Sequence, residues 1–389
     1  MLHRNALGNF KTMIRELIKD PAMLVFLSGA YNTKEAPDEN FARELQELFC
    51  IGKNKAAFFT EEDVQAVARV LTGWTVDWDS IGQTGAPKAV FLSFRHEEAD
   101  KHFSAYYGNR VIRGRSGDAG AEELEDLLDM IFDQPETARH LARKLYTFFV
   151  NSEISQAAEN NVIEPMSWLI RQHDYELLPA LKTLLGSAHF FDPENMGTLI
   201  KSPMDFLLGL WRTLDLPRAR SPMDEDHING ALLWRMAELG MEAGDPPNVA
   251  GWTAYYQAPL YDQLWINTDT ITKRALITDS VILWGFWISE NLQYAADLLA
   301  FVEGFASPED PEKLLREFAS QNLGFWLSAR QLQQVKKTLL GGQENDGYWT
   351  SAWQSYLGEP LNEEKAGIVL NRLKPALQMM LQMAEAQLM

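Results

Sequence analysis

Apolar positions recur three and four residues apart along most of this chain, a spacing that places them on one face of a helix. Leu2, Ala6, Leu7, Phe10, Ile14, Leu17 and Ile18 open such a stripe almost at the first residue. With no cap ahead of it, the stripe predicts a chain that begins within a fold. Thr60 followed by Asp63 reads as an N-terminal box for a helix carrying Val64, Val67, Ala68 and Leu71, which Gly73 ends. Ser221-Pro222 and Ser307-Pro308-Glu309-Asp310 place caps and first-turn prolines where two more helices should open. Between them lie the Leu124, Leu127, Leu128, Ile131 set, the Leu141, Leu145, Phe148 set and the Leu177 to Leu185 set. Thr268 to Phe305 predicts one long or two shorter helices, and Leu323 to Leu340 another.

Two stretches break the helical pattern. From Thr75 to Arg115, Gly82, Gly85 and Pro87 precede a short apolar run, Val90 to Phe94, and predict a small β-ribbon or an irregular insertion. From Gly240 to Asn267, Pro246, Pro247, Gly251 and Pro259 alternate with Trp252, Tyr255, Tyr256, Tyr261 and Trp265, the composition of a long loop pinned by rings. The expected fold class is therefore mainly α: an irregular multi-helical globular fold with one small ribbon or insertion. The expected organisation is a helical domain over residues 1–274 and a C-terminal helical extension over 275–389, packed on the same core.

Composition narrows the function classes. Fifty-four acidic against thirty-five basic residues give a formal charge of −19, which repels nucleic-acid phosphates. The densest basic cluster, Arg110, Arg113 and Arg115, is followed at once by Asp118, Glu122 and Glu123. The single cysteine, Cys50, sits among Leu48, Phe49 and Ile51, and rules out both an intrachain disulfide and a cysteine-rich metal centre. The longest dense apolar run, Val281 to Ile288, is too short for an integral membrane segment. Phosphate-loop, dinucleotide and nucleophile-elbow signatures are missing, and no histidine has a second one three or four residues away, so no cofactor or metal is legible.

Candidate chemistry gathers in four places. On a helix through Asp38 to Leu48, Phe41, Leu45 and Leu48 face inward while Asn40, Arg43, Glu44 and Glu47 share the other side. Glu39 and Glu44 are candidate acid–base carboxylates there, with Asn40 and Arg43 as binding residues; a solvated face with a Glu39–Arg43 pair explains the same pattern. His96 and Asp100, beside Glu97, Glu98 and Lys101, form a second candidate cluster, with His96 and Asp100 catalytic and Lys101 binding. His140 reads as structural, bridging its helix to a neighbouring acid. In Pro246 to Trp252, Asn248 can bond its own backbone and Gly251 turn Trp252 inward, as a pocket wall or a plug. Trp74, Trp78, Trp252 and Trp265 could supply flat contact area, with Asn248 and Asn267 beside them.

Ala6-Leu7-Gly8-Asn9-Phe10, Asp20-Pro21-Ala22-Met23-Leu24, Glu39 to Leu45, Leu71-Thr72-Gly73-Trp74, Lys201-Ser202-Pro203, Pro247 to Trp252 and Trp265-Ile266-Asn267-Thr268 occur in order, and together resemble the bacterial domain of unknown function 1800 family. The resemblance runs to about Arg274. Full-length members of that family have a further N-terminal region ahead of the position matching Met1, from which this chain is expected to depart by lacking it, and the resemblance implies an origin in the periplasm or cell envelope and a sulfatase-like protein as neighbour or partner. Where relatives have a His-Asp pair followed by Gly and Lys, this chain has His96-Glu97, then Asp100-Lys101. Two functions are compatible with these readings. One is a noncatalytic envelope or assembly factor holding a protein or polysaccharide partner; the other is a hydrolase, glycan-directed or otherwise, in which the clustered carboxylates Glu39 and Glu44 meet His96 or Asp100 in one cleft.

Overall fold

The computed structural model describes residues 1–53, 58–216, 218–219, 221–252, 262–289, 292–323 and 327–389. Helices dominate, and among the described residues strands occur only as three two-stranded antiparallel ribbons. The fold class is the one the hydrophobic pattern predicts. Tyr255, Tyr256, Pro259 and Tyr261, part of the aromatic loop read from the sequence, lie outside the described residues.

The chain forms two compact units, Met1–Phe190 and Phe191–Met389, each with its own apolar core. The division falls earlier than the expected one at 274/275. Helix Thr268–Asp279 runs straight through that position, and the C-terminal helices share a core with Phe206 to Leu239.

In the first unit, Phe10, Ile14 and Ile18 form the buried stripe of helix Phe10–Ile18. The opening is two helices, not one: Leu2–Asn5 ends, and Asn9 caps the second by accepting from the Thr12 amide at 3.0 Å. Leu2 and Leu7, read as members of the stripe, are exposed. Helix Glu61–Val70 opens with the expected box, Thr60 and Asp63 each accepting the other's amide proton. Asp63 also accepts from the Ser104 amide and hydroxyl, both at 2.7 Å, so one buried carboxylate caps a helix and anchors the following insertion. Within that insertion, Trp74–Asp77 pairs with Lys88–Phe91 and Lys101–His102 with Val111–Ile112. Helices Glu123–Phe132, Pro135–Phe149, Glu164–Gln172 and Leu177–Leu185 complete the unit. Each fully buried Leu, Ile or Phe of their stripes contributes roughly 1.5–3 kcal/mol of burial.

In the second unit, Ser221 caps helix Pro222–Glu238 as expected. The start read at Ser307 lies three residues later: Asp310 caps helix Pro311–Asn322, and Pro311, not Pro308, takes the first turn. Instead of continuing as helix to Phe305, the chain after Thr268–Asp279 makes a π turn, Ser280–Trp284, then a ribbon of Phe286–Ser289 with Leu292–Tyr294, then helix Leu298–Glu303. Helices Ala329–Leu339, Gly347–Gly358 and Glu363–Leu381 pack together, with Trp349 and Trp353 fully buried and stacked 5.7 Å apart. Ile200 and Leu388 form an antiparallel bridge flanked by reciprocal bonds between Leu199 and Met389.

Candidate functional site

Asp38 caps helix Glu39–Glu44, which passes directly into a π-helical turn, Leu45–Cys50. Phe41, Leu45 and Leu48 are buried as their spacing requires. The wider turn also carries Gln46 inward, where it is fully buried and accepts from the Tyr107 hydroxyl at 2.6 Å. π turns occur often at functional sites, and here the turn adjoins a dense charge cluster. Arg43 lies 3.1 Å from Glu39, 3.7 Å from Glu47 and 2.5 Å from Glu61, and Lys53 lies 3.0 Å from Glu47. Glu44, half-buried, heads the turn. Burial, then the neighbouring Glu47 carboxylate, hold its carboxyl above the usual range, with Lys53 and Arg43 opposing. Asn40 is exposed, and its amide bonds the Asp38 cap. Cys50 is fully buried, and burial pushes its thiol up. Gly52 follows with φ +91°, and a Cβ there would stand 2.6 Å from His140 Nδ1. His140 itself reaches the Leu48 carbonyl at 3.2 Å. Burial, reinforced by the Lys144 charge, lowers it to about 3.

The second cluster is a buried ion-pair network. His96, Lys101 and Glu123 have wholly inaccessible side chains; His96 Nε2 lies 3.1 Å from Glu123 Oε1 and Lys101 Nζ 2.6 Å from Glu123 Oε2. The Arg115 amide also donates to Glu123, at 2.7 Å. Burial pushes the Glu123 carboxyl up, but His96, Lys101 and the Arg115 amide outweigh it and hold the group below its usual range. On the far side of the ring, His96 Nδ1 stands 2.9 Å from the Thr72 carbonyl. The same nitrogen stands 3.1 Å from the Thr72 hydroxyl. Gly120 makes the close approach possible, since a Cβ there would lie 2.5 Å from His96 Cδ2. Asp100 is turned elsewhere: its carboxylate accepts from the Gly114 amide at 3.0 Å and pairs with Arg113. That amide bond, then Arg113, lowers it. Arg110 and Arg115 are likewise paired, with Asp133 and Asp126.

The sequence reading brings Glu39, Glu44 and His96 or Asp100 into one cleft, whereas the structure holds them in two separate groups. Helix Glu61–Val70 marks the interval: Glu61 belongs to the Arg43 cluster, and Arg69, eight residues on, lies 3.7 Å from Glu97 beside the histidine network. Eight helical residues span about 12 Å. Glu123, the hub of the second group, was counted in the sequence only as an offset to nearby arginines. The available signal was an acid heading the Leu124 stripe.

The remaining binding candidates have structural partners. Trp74 is half-buried against Phe91, with Lys19 over its ring at 5.0 Å, and Trp78 is exposed. In the second unit, Asn248 accepts from the Ala250 amide at 2.9 Å and Gly251 turns at φ +91°. This leaves Trp252 half-buried, its ring 6.2 Å from that of buried Trp265. Asn267 caps helix Thr268–Asp279 by accepting from the Asp269 and Thr270 amides. Sequence reasoning passed over Arg274, a fully buried cation on the same helix. It donates to the Lys201 carbonyl at 2.7 Å, lies over the Phe206 ring at 4.8 Å, and is lowered to about 10 by burial. Among the described residues, no three His, Cys, Asp or Glu side chains converge as metal ligands would, and no helix is long and apolar enough to cross a membrane.

Fold and site together define a two-unit helical protein with a buried carboxylate–histidine–lysine network and a separate carboxylate cluster at a π turn. The chain belongs to the family described as protein of unknown function DUF1800, whose model matches residues 1–388 and so includes the C-terminal third. No curated protein and no solved structure matches the chain.

Proposed function

We propose that this protein is a hydrolase of glycosidic bonds in which Glu44 is the acid–base residue and Glu47 the nucleophile. The observation behind this reading is the pairing itself: a half-buried Glu44 whose carboxyl is raised, and Glu47 three residues on, flanked by Arg43 and Lys53. Unequal environments on neighbouring carboxyls are what an acid and its carboxylate partner require. Glu44 ends the α-helix and Glu47 lies within the π turn that follows, and enzymes that form a glycosyl–enzyme ester work with two such neighbouring carboxyl groups.

In the proposed reaction, Glu44 gives its proton to the departing glycosidic oxygen as that C–O bond breaks. Glu47 forms the new C–O bond to the sugar carbon. Water then cleaves the ester, passing a proton back to Glu44 and restoring both groups. Arg43, braced by Glu39 and Glu61, positions Glu47. His96 and Glu123, fully buried, touch no solvent and hold the insertion in place. The noncatalytic binding alternative rests on four tryptophans, of which only Trp78 is largely exposed.

Hydrolysis of aryl glycosides and cell-wall polysaccharides by wild type, Glu44→Gln and Glu47→Gln tests the reading. Loss of the general acid is expected to lower kcat by about 10²–10⁴ for poor leaving groups, and much less for activated aryl leaving groups that need no proton. Glycosidase activity indifferent to both substitutions, or none in wild type on any glycan tried, overturns it.

A further inference from the structure

A groove of about 830 Å³ runs over the second unit where helix Ala329–Leu339 meets helix Glu363–Leu381. Its lining is unusual for so acidic a chain. Arg330, Gln333, Gln334, Lys337 and Asn371 contribute cations and amides, and among the described residues no Asp or Glu lines it. Other cations nearby are engaged within the fold: Lys336 pairs with Asp346 at 2.8 Å and Arg316 with Glu312 at 2.8 Å, while Arg372 and Lys374 donate to the Tyr348 and Leu283 carbonyls. Arg330 and Lys337 form no ion pair among the described residues, so their charge is left for something outside the molecule.

The floor adds a second feature. Pro375 stands inside helix Glu363–Leu381 and has no N–H, so the carbonyl four residues earlier, on Asn371, lacks its helical donor. Pro375 and Asn371 both line the groove. The site therefore offers two cations, several side-chain amides and a backbone acceptor short of one hydrogen bond.

We propose that this groove binds an acidic peptide segment in the polyproline II conformation, with acidic residues three apart. Spacing selects that conformation. Arg330 and Lys337 are two helical turns apart on one face, about 10.5 Å along the axis. Polyproline II repeats every three residues with a 3.1 Å rise, so acids three apart lie on one side, about 9.3 Å from each other. In a β-strand, residues three apart point to opposite faces. A polyproline II backbone also makes no internal hydrogen bonds, leaving its N–H groups for the Asn371 carbonyl and its carbonyls for Gln333 and Gln334. Among the described residues no aromatic ring lines the groove, so a sugar's apolar face finds no flat surface there, and a peptide is the better-matched anion.

The test is fluorescence anisotropy on the full chain with a labelled peptide of glutamates separated by proline pairs. Two controls accompany it: the same peptide with glutamine for glutamate, and an isomer with the glutamates adjacent. The expected result is saturable binding of the first peptide, at least tenfold tighter than either control and weakened by salt. The double variant Arg330→Gln, Lys337→Gln is expected to lower affinity at least tenfold with an unchanged thermal midpoint, whereas Lys365→Gln, whose partner Glu359 is intramolecular, leaves it unaltered. No saturable binding at millimolar peptide, equal binding of the neutral peptide, indifference to the double variant, or displacement by polygalacturonate at lower concentration than by free peptide overturns the proposal.

Discussion

His140 has its Nε2 3.2 Å from the Leu48 carbonyl and is lowered to about 3, first by burial and then by Lys144. An unfolded chain takes up this proton near the ordinary histidine value of about 6.5, so between these values the unfolded state binds more protons than the native one. Native stability therefore falls as pH drops through that window, by at most about 1.4 kcal/mol per pH unit from this residue. Urea midpoints between pH 7 and pH 4 are expected to fall less steeply for His140→Gln than for wild type; parallel curves would refute this account. His140 shows what was legible at this scale. Its place on an apolar face predicted burial and a structural role, but the partner came from a turn 92 residues away, which spacing along one helix does not encode.

Among elements, the short helical segment Gly117–Glu122 fits closely against the residues around His96. A Cβ on Gly120 would stand 2.5 Å from His96 Cδ2 and 3.0 Å from its Nε2, whereas none of Gly82's surroundings comes within 4 Å. Overpacking of this kind costs about 1–3 kcal/mol. Gly120→Ala is expected to lower stability by that amount in denaturant titration and Gly82→Ala to leave it nearly unchanged; equal effects would show that the contact is not limiting. The capped helices were readable because caps and stripes are local: Thr60 with Asp63, and Ser221 before Pro222, open their helices as expected. The π turn at Leu45–Cys50 was not, since one extra residue in a turn changes neither composition nor the inward set Phe41, Leu45, Leu48. It reveals itself only through Gln46, a polar residue drawn inside to meet Tyr107. The candidate residues were chosen for chemical type. The reason some of them pair with one another and others do not lies in how the insertion folds back through Asp63 and Glu123.

For the whole molecule, two cores with separate membership mean two folding units. A fragment of residues 1–190 is expected to unfold cooperatively, with helical circular dichroism close to that of the same residues in the full chain. A fragment that binds hydrophobic dye and melts without a transition would mean that the first core needs the second unit. This boundary was missed although Gly186, Asp192-Pro193 and Gly197 interrupt the helical pattern around Phe190 and Phe191, because the helical stripes look alike on both sides and nothing in their spacing says which core each joins. The division expected near residue 274 followed the extent of the recognisable family motifs, and motif density tracks similarity to relatives, not which side chains share a core.

The second unit has one more property. Leu199 and Met389 exchange backbone hydrogen bonds around the Ile200–Leu388 bridge, so the unit is a ring stitched shut by main-chain groups. Ring closure costs entropy that rises only with the logarithm of contour length, and a seam of this kind makes the order of elements around the ring less important than their adjacency. The unit is thus suited to circular permutation: a short linker could join the two seam ends, and a new opening be cut at the exposed Gly341-Gly342 pair.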